Sequence, residues 1–119
     1  MDPLTEVGPM AREDLIADLD RQVRESLGSG ATLLLGGKRM ERPGAFYEPT
    51  VLSDVRKGMP VYDEEVFGPV AAIISVADCD EALAVANDTA FGLGASVWTK
   101  DRKRAHHLAR SLQSSQHLR

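Results

Sequence analysis

The stretch Tyr62-Asp63-Glu64-Glu65-Val66-Phe67-Gly68-Pro69-Val70 sets adjacent carboxylates and an aromatic ring immediately before an apolar run. A carboxylate offers acceptor sites suited to paired hydroxyl donors, and an aromatic face limits how a planar ring beside it can move. Strand ends are where ligands sit in α/β folds, usually the carboxyl ends. Taken alone, Glu64 and Glu65 read as solvated loop charges. Gly68 and Pro69 read as a backbone constraint that turns the chain into the following strand.

The remaining chemistry-bearing side chains read more plainly. Cys79 falls in the first turn of a predicted helix, where a thiol pKa can be lowered, yet it lies some dozen residues beyond the carboxylate motif and reads as a small residue at a helix start. His106 and His107 are neighbours, so on a helix they diverge by about 100° and cannot form the i, i+4 pair of a metal site. His117 lies in the tail. The cations from Lys100 to Arg104 surround Asp101 and read as a solvated helix start.

These residues must be positioned by alternating elements. Leu15, Ile16, Leu19, Val23 and Leu27 recur at helical spacing from Ala11 to Leu27, with Gly28 and Gly30 as punctuation. Thr32 to Leu35 is a short apolar run between glycines, expected to be a buried strand. Phe46 to Val55 is extended, and Pro49, which has no N–H to donate, favours an edge or irregular segment. Arg56 to Asp63 reads as a connection. Val66 to Val76 is apolar on both faces, the pattern of a strand covered on two sides. Asp78 can cap a helix to Asn87 with Ala82, Leu83 and Ala86 inward. Ala95 to Thr99 reads as another strand, with Trp98 packed against a neighbouring layer, and Asp101 opens a last helix with Ala105, Leu108, Ala109 and Leu112 inward. Strand, helix and strand make a βαβ crossover. The class is α/β, a partial, open, mainly parallel sheet with flanking helices, whose unpaired edges read as part of a larger sheet.

Composition narrows the function. The 119 residues carry 14 Lys plus Arg against 18 Asp plus Glu, a net charge of −4, with 43% hydrophobic and 27% charged residues, the balance of an ordinary soluble domain. Scattered cations on an acidic chain exclude a phosphate-backbone binder, so nucleic acid is not an expected partner. The longest nearly apolar stretch falls short of the roughly 20 residues that span a bilayer, so no membrane partner is expected. The acidic start, Met1-Asp2-Pro3-Leu4-Thr5-Glu6, lacks the basic residues of a leader, and one cysteine cannot build a disulfide framework; a cytoplasmic location is expected.

Read together, Gly8-Pro9-Met10, Phe46-Tyr47-Glu48-Pro49-Thr50-Val51, the Glu64-to-Val70 segment and Ala86-Asn87-Asp88-Thr89 leading into Phe91-Gly92-Leu93-Gly94-Ala95-Ser96-Val97 resemble the aldehyde dehydrogenase superfamily in order and spacing. The match runs from about residue 8 to 112, within the C-terminal part of the family's catalytic domain. It is closest in appearance to the succinate-semialdehyde dehydrogenase branch.

The resemblance implies NAD(P)-dependent oxidation of an aldehyde, with succinate semialdehyde the candidate, to a carboxylic acid. It implies that Glu65 accepts hydrogen bonds from the nicotinamide-side ribose hydroxyls and that Phe67 packs beside the nicotinamide. The full-length protein would take a small aldehyde as substrate and form a homo-oligomer. Family chemistry uses a cysteine thiolate and a glutamate-activated water. In relatives both lie before the segment matching Gly8, and Met1 to Val7 contain no cysteine; the chain by itself is expected to be inactive. No Gly-rich turn matches the dinucleotide-binding domain, so NAD and NADP are not distinguished. Residues 113–119 depart from the pattern, as a frameshift, a splice boundary or an early stop would produce. An alternative reading is a catalytically dead standalone protein that serves as a binding or oligomerisation partner, and a third is a small nucleotide-binding module using Glu65 and Phe67.

Overall fold

The computed structural model describes residues 4–113. His117, the rest of the tail and the first three residues lie outside that range. Two compact units divide the chain, Met1–Ser75 and Val76–Arg119.

The first unit is organised by the helix that the apolar spacing predicts. Helix α1, Glu13–Gly28, buries Ile16, Leu19 and Val23 along one face and carries Glu13 and Asp14 in its first turn, where negative charge suits the helix dipole. Its end is a Schellman arrangement: Gly30 takes a positive φ of 106°, its N–H bonds Leu27 O at 3.1 Å, and the Ala31 N–H reaches back to Ser26 O at 3.0 Å. Of the two glycines read as punctuation, Gly30 does the turning and Gly28 is still helical.

Three short strands form one sheet in the order β1-β2-β3, with β1 Thr32–Leu35, β2 Thr50–Ser53 and β3 Val70–Ala72. β1 pairs antiparallel with β2, with a register shift between Leu33 and Leu35, whereas β2 and β3 run parallel with Leu52 opposite Ala72. The α/β class with an open sheet and flanking helices stands, and the sheet is mixed. Three details of the sequence reading need correction. β2 is the central strand, because Pro49 ends just outside the ladder and the first donor used is Thr50 N–H, to Pro69 O at 2.8 Å. β1, expected to be buried, is an exposed edge strand. The apolar run from Val66 to Val76 contributes only three strand residues, since Gly68-Pro69 interrupt it and only β2 pairs with it among the described residues.

Between the sheet and α1 lies the core of Ile16, Leu19, Val23, Tyr47, Leu52, Val55, Met59 and Val61. The segment read as a connection contains a single turn, α2, Pro60–Asp63, with proline at its start where no N–H is needed. Buried Ser26 ties it to α1 by accepting the Val61 N–H at 3.1 Å. The Tyr47 phenol donates to Asp20 at 3.2 Å, and burial, followed by the Asp20 carboxylate, pushes its pKa well above the ordinary value.

The second unit holds α3, Cys79–Asn87, and α4, Arg102–Ser111. Both start as predicted: the Asp78 carboxylate accepts the Glu81 N–H at 2.9 Å, and Asp101 accepts from Lys103 and Arg104 at 2.9 and 3.1 Å. Asn87 joins the helices, donating to Ser111 O at 3.0 Å and accepting the Gln113 N–H at 2.9 Å. Ala82, Leu83, Ala105, Leu108 and Leu112 are half-buried, but Ala86 and Ala109, expected inward, are exposed. Ala95 to Thr99 forms no strand, so the βαβ crossover is not completed, and Trp98 is 93% exposed rather than packed. An apolar segment becomes a strand only where another backbone pairs with it.

Candidate functional site

The carboxylate segment lies across α1. Leu15, Asp18 and Gln22 follow one another at i, i+3 and i+7, which places them on one face of the helix. With Ala11, Arg12, Glu64, Glu65 and Phe67 they line an open cleft of about 500 Å³. Next to Phe67 in the chain, Gly68 packs tightly: a Cβ there would meet Leu19 Cδ2 at 2.6 Å and Met10 Cε at 3.2 Å, and its φ is +154°. Glycine is what lets the backbone approach the helix this closely.

The two adjacent glutamates have different surroundings. Glu64 is tied down: Arg21 donates to it at 2.7 Å, and the Gln22 side-chain N–H reaches the same oxygen at 3.0 Å. Hydrogen bonding from Arg21, then from Gln22, holds the Glu64 carboxyl below the usual carboxylate range, and the same contact raises the Arg21 pKa above its ordinary value. Arg21 also bonds Asp18 at 2.7 Å and Glu25 at 3.0 Å. Glu65 is held through its backbone, its carbonyl accepting from Gln22 at 3.0 Å. Its carboxylate is exposed and makes no hydrogen bond or ion pair among the described residues. Phe67 lines the same cleft with 65% of its surface exposed.

An unengaged carboxylate beside an open aromatic face can accept from a vicinal diol while the ring packs on a planar heterocycle. This pairing of an acceptor with an open ring therefore suits the nicotinamide-ribose half of a dinucleotide. Both residues singled out in the sequence, Glu65 and Phe67, line one cleft. Arg21 and Gln22 were not singled out. The signal for Gln22 is the helical phase it shares with Leu15 and Asp18, visible in the sequence but uninformative without knowing which loop crosses that face.

The other candidates belong to the second unit. Cys79 is half-buried at the start of α3, in the second unit. His106 and His107 are exposed on α4, and among the described residues no group of three or more His, Cys, Asp or Glu could hold a metal ion. No helix among them is long and apolar enough to cross a membrane. A second hollow, of about 720 Å³, is lined by Gly8, Pro9, Phe46 and Pro49 with Arg42, whose guanidinium stacks on the Phe46 ring at 4.0 Å.

Residues 1–117 match the Aldehyde dehydrogenase family profile. Over 100 residues the chain is 50% identical to succinate-semialdehyde dehydrogenase [NADP(+)] 1 of Mycobacterium bovis, covering 84% of this chain and 22% of that protein. Over 113 residues it is 47% identical to succinate-semialdehyde dehydrogenase [NADP(+)] of Deinococcus radiodurans, covering 95% and 24%. The crystal structure of succinic semialdehyde dehydrogenase from Streptococcus pyogenes in complex with NADP+ superposes with a TM-score of 0.88 at 35% identity, over 97% of this chain and 25% of that one. The chain thus spans about a quarter of the length of the proteins it matches.

Proposed function

The chain belongs to the aldehyde dehydrogenase family, and from that premise we propose that it is part of the catalytic domain of a cytoplasmic NAD(P)-dependent enzyme that oxidises a small aldehyde, succinate semialdehyde by its relatives, to the acid. Its own contribution is to hold the nicotinamide half of the cofactor. The Glu65 carboxylate accepts from the ribose hydroxyls, and the Phe67 ring packs beside the nicotinamide. When bound, NAD(P) supplies the hydride acceptor. Glu65 and Phe67 bind and orient; neither is asked to move a proton. The attacking nucleophile and the general base come from sequence outside these 119 residues.

The observation that carries this reading is the asymmetry between Glu64 and Glu65. One carboxylate is consumed by Arg21 and Gln22, while the next is left open beside Phe67. Amide and ring-proton NMR of the 119-residue chain, titrated with nicotinamide mononucleotide, tests it. The expected result is weak binding with shifts centred on Glu65 and Phe67, reduced about tenfold or more in affinity by Glu65→Ala, which removes the charged acceptor. Shifts centred elsewhere, or unchanged in Glu65→Ala, would overturn it. With succinate semialdehyde and NADP+ the chain alone should form no NADPH. Turnover abolished by Cys79→Ser would refute the assignment of the nucleophile to sequence outside this chain.

A further inference from the structure

Resting on the reading of Glu65 and Phe67 above, we propose that Gln22 of α1 is a positioning residue for the cofactor contacts, setting the height and direction at which Glu65 and Phe67 enter the cleft. Gln22 is 2% exposed although it is polar and lies on a helix face that borders a cleft. Its side-chain nitrogen is 3.0 Å from Glu64 Oε2 and 3.0 Å from the Glu65 carbonyl oxygen. Both neighbours can only accept, so the amide must present its NH₂ to them, and a primary amide has the two protons needed to serve both. A glutamate in its place could not donate when ionised, and a leucine could not donate at all.

The consequence is directional. One of these hydrogen bonds ends on the Glu65 backbone itself, two residues before Phe67. The other ends on Glu64, which Arg21 also grips at 2.7 Å, so the neighbouring carboxylate is drawn onto α1 and out of competition for the ligand. On the far side Gly68 lies against Leu19 and Met10. The four residues from Glu64 to Phe67 are therefore strapped to one helix at both ends, and the side chains left uncommitted are Glu65 and Phe67. Preorganisation of this kind reduces the ordering needed on binding.

The test compares Gln22→Leu, Gln22→His and Glu65→Ala in the 119-residue chain. Nicotinamide mononucleotide affinity is read by NMR, and folding is read separately from the dispersion of the amide spectrum and the thermal midpoint. Gln22→Leu keeps the volume and loses both donors; affinity should fall about tenfold for two lost hydrogen bonds, with the Phe67 ring resonances moving toward averaged values. His places an N–H as many bonds from Cα as the Gln amide does, so Gln22→His should recover part of that loss and the Phe67 shifts. A Gln22→Leu chain that folds and binds with unchanged affinity would overturn the positioning role. So would a Gln22→His chain that recovers the thermal midpoint but neither the affinity nor the Phe67 shifts, as a purely structural role would give. If Glu65→Ala leaves binding unchanged, the cofactor reading itself fails; if Glu65→Ala weakens binding while Gln22→Leu does not, only the positioning role fails.

Discussion

The unit Met1–Ser75 buries a row of large side chains between α1 and the sheet, among them Ile16, Leu19, Val23 and Leu52, whereas in Val76–Arg119 no side chain of α3 or α4 is fully buried. Both units contain helices with correct punctuation. Local signals such as the Asp78 and Asp101 caps are enough to set where a helix starts, but most helical stability in a protein comes from burying a face. The first unit has the buried face and also the candidate site, whose loop is packed on that same helix. In the second, Phe91, Leu93 and Trp98 are exposed, and Asn87 at the end of α3 hydrogen-bonds Ser111 and Gln113 at the end of α4.

The largest way to break this contrast is to truncate a leucine in each unit. Leu52→Ala empties a fully buried position and should cost about 2–5 kcal/mol in urea unfolding. The half-buried Leu83 should cost about 1 kcal/mol or less when changed to alanine. Equal costs would erase the distinction between the units. Next comes Gly68→Ala, where the new methyl meets Leu19 at 2.6 Å. An overpacking cost of about 1–3 kcal/mol is expected, together with displaced Phe67 resonances, since the strap at that end of the loop must shift.

A smaller effect should follow from Asp101→Ala, which removes the acceptor for the Lys103 and Arg104 N–H groups. About 1 kcal/mol of local helix stability should be lost, seen as faster amide exchange in α4 with no change in α1 or β2. The smallest involves pH. Arg21, then Gln22, lowers the Glu64 pKa in the folded chain. The folded form is therefore favoured above the ordinary carboxyl value, and this contribution is lost as pH falls through the lowered one. The pair is exposed, so screening keeps the effect slight. Glu64→Gln, which resembles the protonated form, should lower the thermal midpoint slightly near neutrality and converge with the parent chain at low pH, flattening the acid limb of the profile.

What the sequence disclosed divides along similar lines. Apolar spacing from Leu15 to Leu27 located α1, and the two aspartates located the starts of α3 and α4, because these signals are complete within one turn of chain. Strand pairing was not legible. Thr32 to Leu35, Val66 to Val76 and Ala95 to Thr99 all carry the apolar pattern of buried strands, yet the first is an exposed edge, the second forms a strand over three residues, and the third forms none. Burial and pairing depend on neighbours that the pattern presupposes and cannot itself provide. Pro49 misled in the opposite sense, because its missing N–H matters only if it falls inside the ladder, and it falls one residue before. At the site, residue types marked Glu65 and Phe67. The roles of Arg21 and Gln22 depend on contacts across more than 40 residues of chain, which no local spacing reveals.

The most direct test of the contrast between the units is residue-resolved amide hydrogen exchange over the intact 119-residue chain. The account predicts the slowest exchange in the buried turns of α1, in β2 and at the Val61 N–H held by Ser26, with α3 and α4 exchanging orders of magnitude faster through local opening. Protection in α3 and α4 equal to that of α1 would contradict it, and would mean that the second unit is stabilised as strongly as the first.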